Sequence, residues 1–316
     1  MAESKRGRPA LQPEIICLGE PMVEFNQQPD GRYLAGFGGD SSNCAIAAAR
    51  QGAKVGYWTR LGQDRFGDDL LRLWQEEAVD VSQVVRDPQA HTAIYFVSHD
   101  EAGHAFTYFR AESAASRMRA EELPADYLRG AKILHVSGIS QAISDNAADS
   151  VFAAIELARE AGVTVSYDTN LRLQLWPLDR ARAVIHAAMA RCQIALPGLE
   201  DAQKLTGEQD PDAIADAYLA LGCEIVALTL GAAGTLVATP AERRLLPVQP
   251  LEAVDATAAG DTFDGAFLAE LVAGRDPFTA AAYANAAAAL STQGYGAVAP
   301  MPRRAAVEAF LAEAAA

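Results

Sequence analysis

The feature that most constrains the fold is a regular alternation of two kinds of segment along the chain. Short runs rich in β-branched residues alternate with Ala- and Leu-rich segments whose apolar residues have helical spacing. Such alternation builds a mainly parallel sheet with helices on both faces, and ligands bind at the carboxyl ends of its strands. We therefore expect an α/β protein with three layers and a binding site at that edge of the sheet.

Seven runs predict strands, and five segments between them predict helices. Several of these helices stop at a glycine, the residue that commonly follows a helix. The predicted strands are residues 15–18, 55–59, 133–136, 163–167, 194–196, 225–230 and 235–238. The predicted helices are residues 42–51, 67–78, 147–161, 180–190 and 211–221.

Two stretches, residues 20–37 and 91–110, break the alternation. Each has strand composition around a turn signal, which is residues 29–31 in the first stretch and 100–103 in the second. We therefore expect two β-hairpins that form a small separate sheet, a lid, inserted in a single domain over residues 14–316.

The charge of the chain limits its partners. Its 316 residues include 26 basic and 41 acidic side chains, for a formal net charge of −15. Nucleic acids and anionic membranes both attract a basic face, so we expect neither as a partner. An anionic small molecule would need local arginines to hold it against this overall charge.

Cysteine usage and the N-terminus bear on location. The four cysteines are scattered in sequence, which is typical of reduced residues in a cytosolic protein. No apolar stretch is long enough to span a bilayer. Residues 1–13 are polar and basic and lack the apolar centre of a signal peptide. We expect a disordered tail over residues 1–13 and a cytoplasmic protein.

Residues 254–263 carry the clearest chemical signal. Small residues there precede a helix, and the amides of Ala258, Ala259 and Gly260 at its N-terminus are expected to form an anion hole aided by the helix dipole. Asp261 stands beside that hole, where a carboxylate can accept the proton of a hydroxyl that attacks phosphorus. The alternative is that Asp261 only caps the helix.

This segment resembles the C-terminal signature of the ribokinase-like (phosphofructokinase-B type) carbohydrate kinases, and the resemblance extends from about Glu14 onward. It implies a ribokinase-like three-layer αβα sandwich, with Asp261 as catalytic base and the preceding amides on the transferring phosphoryl group. The chain has Ala258 where many members have Gly. An alanine still offers its amide there, unless the backbone requires a positive φ.

Other segments match this family's ligand-binding positions in the same order along the chain. The resemblance assigns sugar contacts to Gly38, Gly39 and Asn43, where paired glycines permit close approach of a ligand. It implies a nucleotide site formed by Asn170, Thr229, Gly231, Gly234, Ala258, Ala259, Gly260 and Asn285. For Asn285, in a predicted helix over residues 280–293, the alternative is a buried polar residue satisfied by helix packing.

The family's usual Mg²⁺-ordering Asn is replaced by Gly198. Glu200 and Asp201 therefore remain the candidates for organising Mg²⁺, through water, because this ion keeps much of its hydration. An ordinary acidic first helical turn is the alternative. The cofactors implied by the resemblance are ATP and Mg²⁺, and a monovalent cation is left open.

Two arginines bear on the substrate. Arg110 ends the second hairpin just after Tyr108, and register can bring Tyr95 of the paired strand to the same face. Arg172 follows a predicted strand and so lies at the ligand-binding edge. A guanidinium binds a carboxylate through two parallel hydrogen bonds, so these residues indicate an anionic sugar. The alternative for Arg110 is a solvated charge at a strand end, and the alternative for Arg172 is a surface salt bridge.

The segments around Arg110 and Arg172 resemble the 2-keto-3-deoxygluconate kinases within the family. The implied activity is ATP-dependent, in-line phosphorylation of 2-keto-3-deoxygluconate at its 6-hydroxyl, as in the Entner–Doudoroff pathway. The alternatives are a fructokinase, a ribokinase, another ketodeoxy-sugar kinase, or a binding protein without turnover. A Rossmann dehydrogenase is disfavoured, because no Gly-x-Gly-x-x-Gly follows the first predicted strand. Exposed hairpins often pair between subunits, so we expect a homodimer or larger assembly.

Overall fold

The computed structural model describes residues 12–28, 30–100 and 103–314, and within them the chain forms fourteen strands and eleven α-helices. The strands are β1 (Ile15–Leu18), β2 (Met22–Gln27), β3 (Tyr33–Gly38), β4 (Val55–Trp58), β5 (Arg60–Gly62), β6 (Val85–Asp87), β7 (Ile94–Asp100), β8 (Gly103–Phe109), β9 (Ile133–Ser137), β10 (Thr164–Asp168), β11 (Ile194–Leu196), β12 (Ile225–Thr229), β13 (Thr235–Ala238) and β14 (Arg243–Leu246). The helices are α1 (Asp40–Arg50), α2 (Arg65–Glu76), α3 (Ala125–Arg129), α4 (Gly138–Ala142), α5 (Asp145–Glu160), α6 (Leu178–Met189), α7 (Leu199–Thr206), α8 (Pro211–Ala220), α9 (Ala259–Val272), α10 (Pro277–Ser291) and α11 (Arg304–Ala314).

Eight strands form the central sheet in the order β14-β13-β12-β11-β10-β9-β1-β4. In this sheet β4, β1, β9, β10, β11 and β12 pair in parallel, each with the next. β13 and β14 add two antiparallel strands at one edge. The seven predicted strands are all present, and the predicted α/β class is confirmed. β14 was not predicted, because its two arginines and partial exposure give an edge strand with a weak apolar pattern.

Helices cover both faces of this sheet, because successive strand residues point to opposite sides. In β1, Ile15 and Cys17 pack with α1, α2, α9, α10 and α11 on one face. Ile16 and Leu18 pack with α3, α5, α6, α7 and α8 on the other face. All four side chains are fully buried, which explains why β1 is a continuous apolar run without alternation.

The two expected hairpins are β2–β3 and β7–β8, and they join into a separate four-stranded sheet in the order β3-β2-β7-β8. The join is a parallel pairing of β2 with β7. Of the two expected turns, Pro29, Glu101 and Ala102 lie outside the described residues, as do residues 1–11 of the expected tail. This four-stranded sheet is called the small sheet below.

Helix starts differ from the predicted ones for identifiable reasons. α1 begins at Asp40 rather than Ser42, and Gly39 with φ 100° precedes it without any side-chain cap. α10 begins at Pro277 rather than residue 280, because the Asp276 carboxylate accepts hydrogen bonds from the amides of its first turn. β5 and β6 have three residues each, which is too short for a sequence pattern.

Cysteines and helix lengths complete the description. Cys17, Cys44, Cys192 and Cys223 are buried and free, so they serve as small apolar residues of the core. Among the helices of the described ranges, none combines the length and apolarity that a membrane span needs. The same ranges hold no group of three or more His, Cys, Asp or Glu side chains arranged to bind a metal ion.

Helices α1 and α9 approach each other closely in the core. Gly265 of α9 faces the backbone of α1, and a Cβ atom there would stand 2.4 Å from the Cys44 carbonyl oxygen and 2.6 Å from Ala47 Cβ. Only glycine permits this approach. It holds the N-terminal parts of α1 and α9 side by side at the carboxyl edge of the sheet.

We predict that Gly265→Ala lowers the free energy of unfolding by about 1–3 kcal/mol, because the added methyl overpacks the contact between α1 and α9. Urea denaturation followed by circular dichroism measures this change. Gly130→Ala is the matched control, since a Cβ there meets only the flexible end of Gln12. Equal stability of the two variants would contradict the close-contact explanation.

Candidate active site

Two cavities open at the carboxyl edge of the central sheet, on either side of the N-terminus of α9. The larger has a volume of about 600 Å³ and is lined by Ala258 and Asp261 among others. The smaller has a volume of about 350 Å³, and Ala259 and Gly260 line it. Ala256 lines both. The first turn of α9 therefore separates two binding spaces that meet at its end.

Asp261 lies in the larger cavity, and its Oδ2 accepts a 2.7 Å hydrogen bond from Asn43 Nδ2 of α1. Burial and, after it, the nearby Asp40 carboxylate raise the pKa of Asp261 to about 7, against the opposing effects of Asn43 and Arg172. Part of the residue remains accessible from the cavity. A carboxylate with this pKa is suited to accept a proton near neutral pH.

The expected anion hole differs from the prediction in two respects. The Ala259 amide donates to the Ala256 carbonyl at 3.2 Å, so it is not available to a ligand. Ala258 adopts the left-handed conformation, with φ 60° and ψ 18°, which an alanine adopts only at a cost. The amides of Gly260 and Asp261 precede the first intrahelical bond, from Thr262 to Ala258, and a Cβ at Gly260 would meet only open space.

Most of the predicted sugar-side residues line the larger cavity. They are Gly39, Asn43, Tyr95, Tyr108, Arg110, Arg172 and Asp261. Tyr95 lies directly opposite Tyr108 in the small sheet, with ring centroids 5.8 Å apart, as the predicted register requires. Gly38 does not line the cavity and instead packs against the Tyr95 hydroxyl.

Arg110 is held by a residue that the sequence analysis did not single out. Its guanidinium donates from Nη2 to Glu20 Oε2 and stands 5.5 Å from the centre of the Tyr108 ring. Glu20 is fully buried at its side chain, and its Oε1 accepts a 2.7 Å hydrogen bond from Ser113. Arg110 Nε is buried and has no acceptor among the described residues. The guanidinium of Arg110 is thus fixed in the cavity wall, and its Nε has no hydrogen-bond acceptor among the described residues.

Thr229, Gly231, Gly234 and Asn285, predicted for the nucleotide, line the smaller cavity. Asn285 is buried, its Oδ1 accepts from Thr235 Oγ1, and its Nδ2 donates to the Leu246 carbonyl oxygen. This matches the alternative of a polar residue satisfied by packing. Asn170 lines the larger cavity rather than the smaller one.

The two residues expected to organise a metal ion have different surroundings. Glu200 is exposed and lines neither of the two cavities. Asp201 is partly buried, and its Oδ2 accepts a 2.8 Å hydrogen bond from the amide of Leu171, which lines the larger cavity. Burial raises the pKa of Asp201. Of the pair, only Asp201 lies close to the site.

The larger cavity also contains charged residues that sequence reasoning missed. Glu20 lies two residues after the end of β1, Asp40 follows the glycine pair, and Lys204 belongs to α7. The available signal was position: Glu20 stands at the carboxyl end of a predicted strand, where ligands bind. Asp40 stands at the first position of α1, beside the ligand-approach motif.

A hydroxyl-bearing molecule fits the larger cavity, and a phosphate chain fits the helix N-terminus between the cavities. Asp261 stands at their junction as a proton acceptor, so the arrangement has the parts that a small-molecule kinase requires. A model of the pfkB family carbohydrate kinases matches residues 12–304. The chain belongs to this family and is a carbohydrate kinase.

Named relatives include two kinds of sugar kinase. The 2-dehydro-3-deoxygluconokinase of Bacillus subtilis (strain 168) is 33% identical over 310 residues, which cover 94% of this chain and 95% of the relative. The enzyme of the same name from Thermoproteus tenax is 32% identical, with 92% of each chain covered. A fructokinase from Vibrio cholerae O395, in a fructose, ADP and calcium ion bound form, is 30% identical with a TM-score of 0.88, covering 95% of this chain and 99% of that one.

We predict that turnover falls below about pH 7, roughly tenfold per pH unit, because Asp261 must be ionised to accept a proton and its pKa is raised to about 7. The measurement is kcat at saturating substrates against pH. A rate that stays constant well below pH 7 would contradict the assignment of Asp261 as base.

The matched variants for this profile are Asp261→Asn and Asp179→Asn. The first removes the proton acceptor and should reduce kcat by about 10²–10⁴. The second changes an aspartate in the exposed first turn of α6 and should leave the profile intact.

We predict that Ala258→Gly raises the free energy of unfolding by about 0.5–1 kcal/mol, because glycine relieves the left-handed strain. Ala259→Gly is the control, since Ala259 is the first helical residue of α9. Thermal or urea denaturation compares the two. If Ala258→Gly lost as much stability as Ala259→Gly, the backbone strain assigned to Ala258 would be contradicted.

Proposed function

We propose that this carbohydrate kinase transfers the γ-phosphoryl group of ATP to the 6-hydroxyl of 2-keto-3-deoxygluconate, as in the Entner–Doudoroff breakdown of sugar acids. The observation that carries the proposal is Arg110, fixed by Glu20 in the cavity wall with a buried, unpartnered Nε. A neutral sugar has no group that requires a guanidinium there, whereas a carboxylate does.

In the proposed complex the sugar acid occupies the larger cavity. Its carboxylate contacts Arg110 and Tyr108 beside the ring of Tyr95, whose hydroxyl donates to the Glu24 carboxylate. Its 6-hydroxyl lies beside Asp261. The carboxylate of Asp261 accepts the hydroxyl proton as the oxygen forms a bond to the γ-phosphorus of ATP. The bond from that phosphorus to the ADP oxygen breaks in line with the new one.

ATP is proposed to occupy the smaller cavity, with its phosphates at the first turn of α9. The amides of Gly260 and Asp261 stand where negative charge develops, and the helix dipole favours an anion at the same place. Arg172 lines the larger cavity with an exposed guanidinium that can move to the phosphoryl group. Together these donors would stabilise the charge that is transferred.

The site offers Mg²⁺ one carboxylate ligand, that of Asp201. Asp201 offers a hard oxygen donor beside the cavity, and only its Oδ2 is engaged within the described part of the chain. Water and nucleotide phosphates would complete the coordination, since Mg²⁺ is commonly held by one or two carboxylates plus phosphates. The bound ion would supply neutralisation of phosphate charge. Glu200 no longer belongs to the proposal because it lines neither cavity.

The small sheet is proposed to act as a lid of a single domain spanning residues 14–316. Residues 91–110 supply Tyr95, Tyr108 and Arg110 to the cavity wall, and residues 20–37 form the other hairpin of the lid, joined to the first through the β2–β7 pair. Closure would exclude water from the phosphoryl group. The face of the small sheet opposite Tyr95 and Tyr108 exposes Tyr33 by 43% and Phe109 by 53%, so we propose a homodimer that covers them. Analytical ultracentrifugation of the wild type and of Phe109→Ser tests the dimer.

The buried, free cysteines fit a reducing, cytoplasmic location. Among alternative substrates, fructose is favoured by the relative that binds it. A neutral ketose offers Arg110 Nε a hydroxyl oxygen as acceptor, whereas a carboxylate gives a charge-assisted hydrogen bond that is roughly twice as strong. This difference in hydrogen-bond strength favours the sugar acid over the ketose.

We predict that Arg110→Ala raises the KM for 2-keto-3-deoxygluconate about 10- to 100-fold, because a charge-assisted pair is lost. The KM for ATP and the activity on fructose should change much less. Steady-state kinetics with both sugars measure the change in the ratio of kcat/KM values. Arg32→Ala is the matched control, since Arg32 is exposed and lies just before β3 of the small sheet.

Removing Arg110 alone leaves Glu20 charged and buried, which destabilises the fold. The double variant Glu20→Gln, Arg110→Met removes both charges and provides the second test. The proposal predicts the same loss of preference for the sugar acid in this variant. An unaltered preference in both variants would contradict the carboxylate role of Arg110.

A further inference from the structure

One wall of the larger cavity is a single continuous stretch of chain. Residues 170–175, called the 170–175 wall below, all line the cavity. They follow β10 and belong to no helix or strand. Because no helix or sheet ladder holds their backbone, the shape of this wall depends on contacts with neighbouring elements.

The turn that begins the wall is strained. Asn170 has φ 27°, a positive value that a residue other than glycine adopts at a cost. Such a conformation persists only where surrounding contacts hold it. The Asn170 amide donates to Asp168 Oδ1 at 3.0 Å, and its Nδ2 donates to Asp40 Oδ2 at 3.3 Å. These contacts fix Asn170 itself.

The next residue of the wall is held from α7. Asp201 Oδ2 accepts a 2.8 Å hydrogen bond from the Leu171 amide. Arg172 follows directly, and its Nη1 donates to the Leu171 carbonyl oxygen at 3.0 Å. Asp201 therefore fixes the residue whose carbonyl group the Arg172 guanidinium binds.

Loss of this acceptor has a defined consequence. Leu171 is 5% exposed, so its amide would become a buried donor without a partner. The backbone would then move to bring the amide to water, and the strain at Asn170 favours the same movement. Arg172 and the rest of the wall would leave their positions in the cavity.

We propose that Asp201 is a positioning residue of the sugar site, whose Oδ2 holds the 170–175 wall and Arg172 in the conformation that binds the sugar. The role deepens the proposed sugar-kinase function and rests on it. It is separate from the part proposed for Asp201 in holding Mg²⁺, because it needs no metal ion. Helix α7 thereby shapes the cavity for the sugar.

The test compares variants of the full-length enzyme that differ in one hydrogen-bond acceptor. Asp201→Ala and Asp201→Leu remove the acceptor, and the second also fills the space. Asp201→Asn loses the charge but keeps an oxygen for the Leu171 amide. Asp212→Ala is the matched control, an exposed aspartate in the first turn of α8. Melting temperatures establish which variants are folded.

Sugar affinity is measured by titration calorimetry without nucleotide or Mg²⁺. We expect the Kd to rise about tenfold in Asp201→Ala and Asp201→Leu, because a wall ordered in about one tenth of the molecules weakens the apparent affinity by that factor. Asp201→Asn should stay within about threefold of the wild type, since its amide oxygen restores the hydrogen bond. Asp212→Ala should match the wild type.

Two results would overturn the positioning role. A Kd within twofold of the wild type in a folded Asp201→Ala or Asp201→Leu variant would leave Asp201 with a part in metal binding alone. Equal losses in Asp201→Asn and Asp201→Ala would assign the effect to the charge and not to the hydrogen bond with Leu171.

The sugar used is whichever of 2-keto-3-deoxygluconate and fructose binds the wild type more tightly. A preference for fructose would overturn the sugar-acid proposal and leave the comparison of the variants interpretable. Binding of neither would overturn the proposed function, and fluorescence then tests the wall contact alone. Trp176 follows the wall directly, whereas Trp58 and Trp74 are at most 1% exposed.

For this fluorescence readout we expect acrylamide to quench Trp176 about twofold more strongly in Asp201→Ala than in the wild type or Asp201→Asn, because a released wall opens the chain around it. Equal quenching in all three proteins would overturn the part of Asp201 in holding the wall.

Discussion

The hydrogen bond from Asn43 to Asp261 joins two helices that come from opposite ends of the chain, and the geometry of the site depends on it. It forms because Gly265 lets α9 approach the backbone of α1. Both helices then begin at the carboxyl edge of the central sheet. The sugar-side residues of α1 and the phosphate-side amides of α9 are thereby fixed relative to one another before any ligand binds.

Charge balance is the second constraint on the site. Asp40, Asp168, Asp261 and Asp264 lie close together, and burial with mutual repulsion raises the pKa values of the last three. In a chain with net charge −15, such a cluster would repel a phosphate unless fixed donors opposed it. The α9 N-terminus, Arg172 and the Glu20-held Arg110 are donors that oppose this repulsion, and their placement suits the two anionic substrates proposed above.

The sequence predicted those structural features that depend on one local pattern of residues. The buried strands, the helix after residue 258 and the pairing of Tyr95 with Tyr108 follow from periodicity and register. The ion pair between Glu20 and Arg110 depends on a contact between segments that are far apart in the sequence, and a local pattern does not contain such contacts. The same holds for the buried Asp40 Oδ1 atom, which has no hydrogen-bond donor among the described residues. Ala259 lost its expected role because a local turn uses its amide, and Glu200 because its helix face points to solvent.

Substrate choice is tested most directly by ADP release from the purified enzyme with MgATP and equal concentrations of 2-keto-3-deoxygluconate, fructose or ribose. We expect the highest kcat/KM for the sugar acid, because only its carboxylate forms an ion pair with Arg110. A higher value for fructose or ribose would leave the fold and Asp261 intact and contradict the carboxylate-binding role of the cavity. No ADP release with any of the three would contradict the proposed substrate as well.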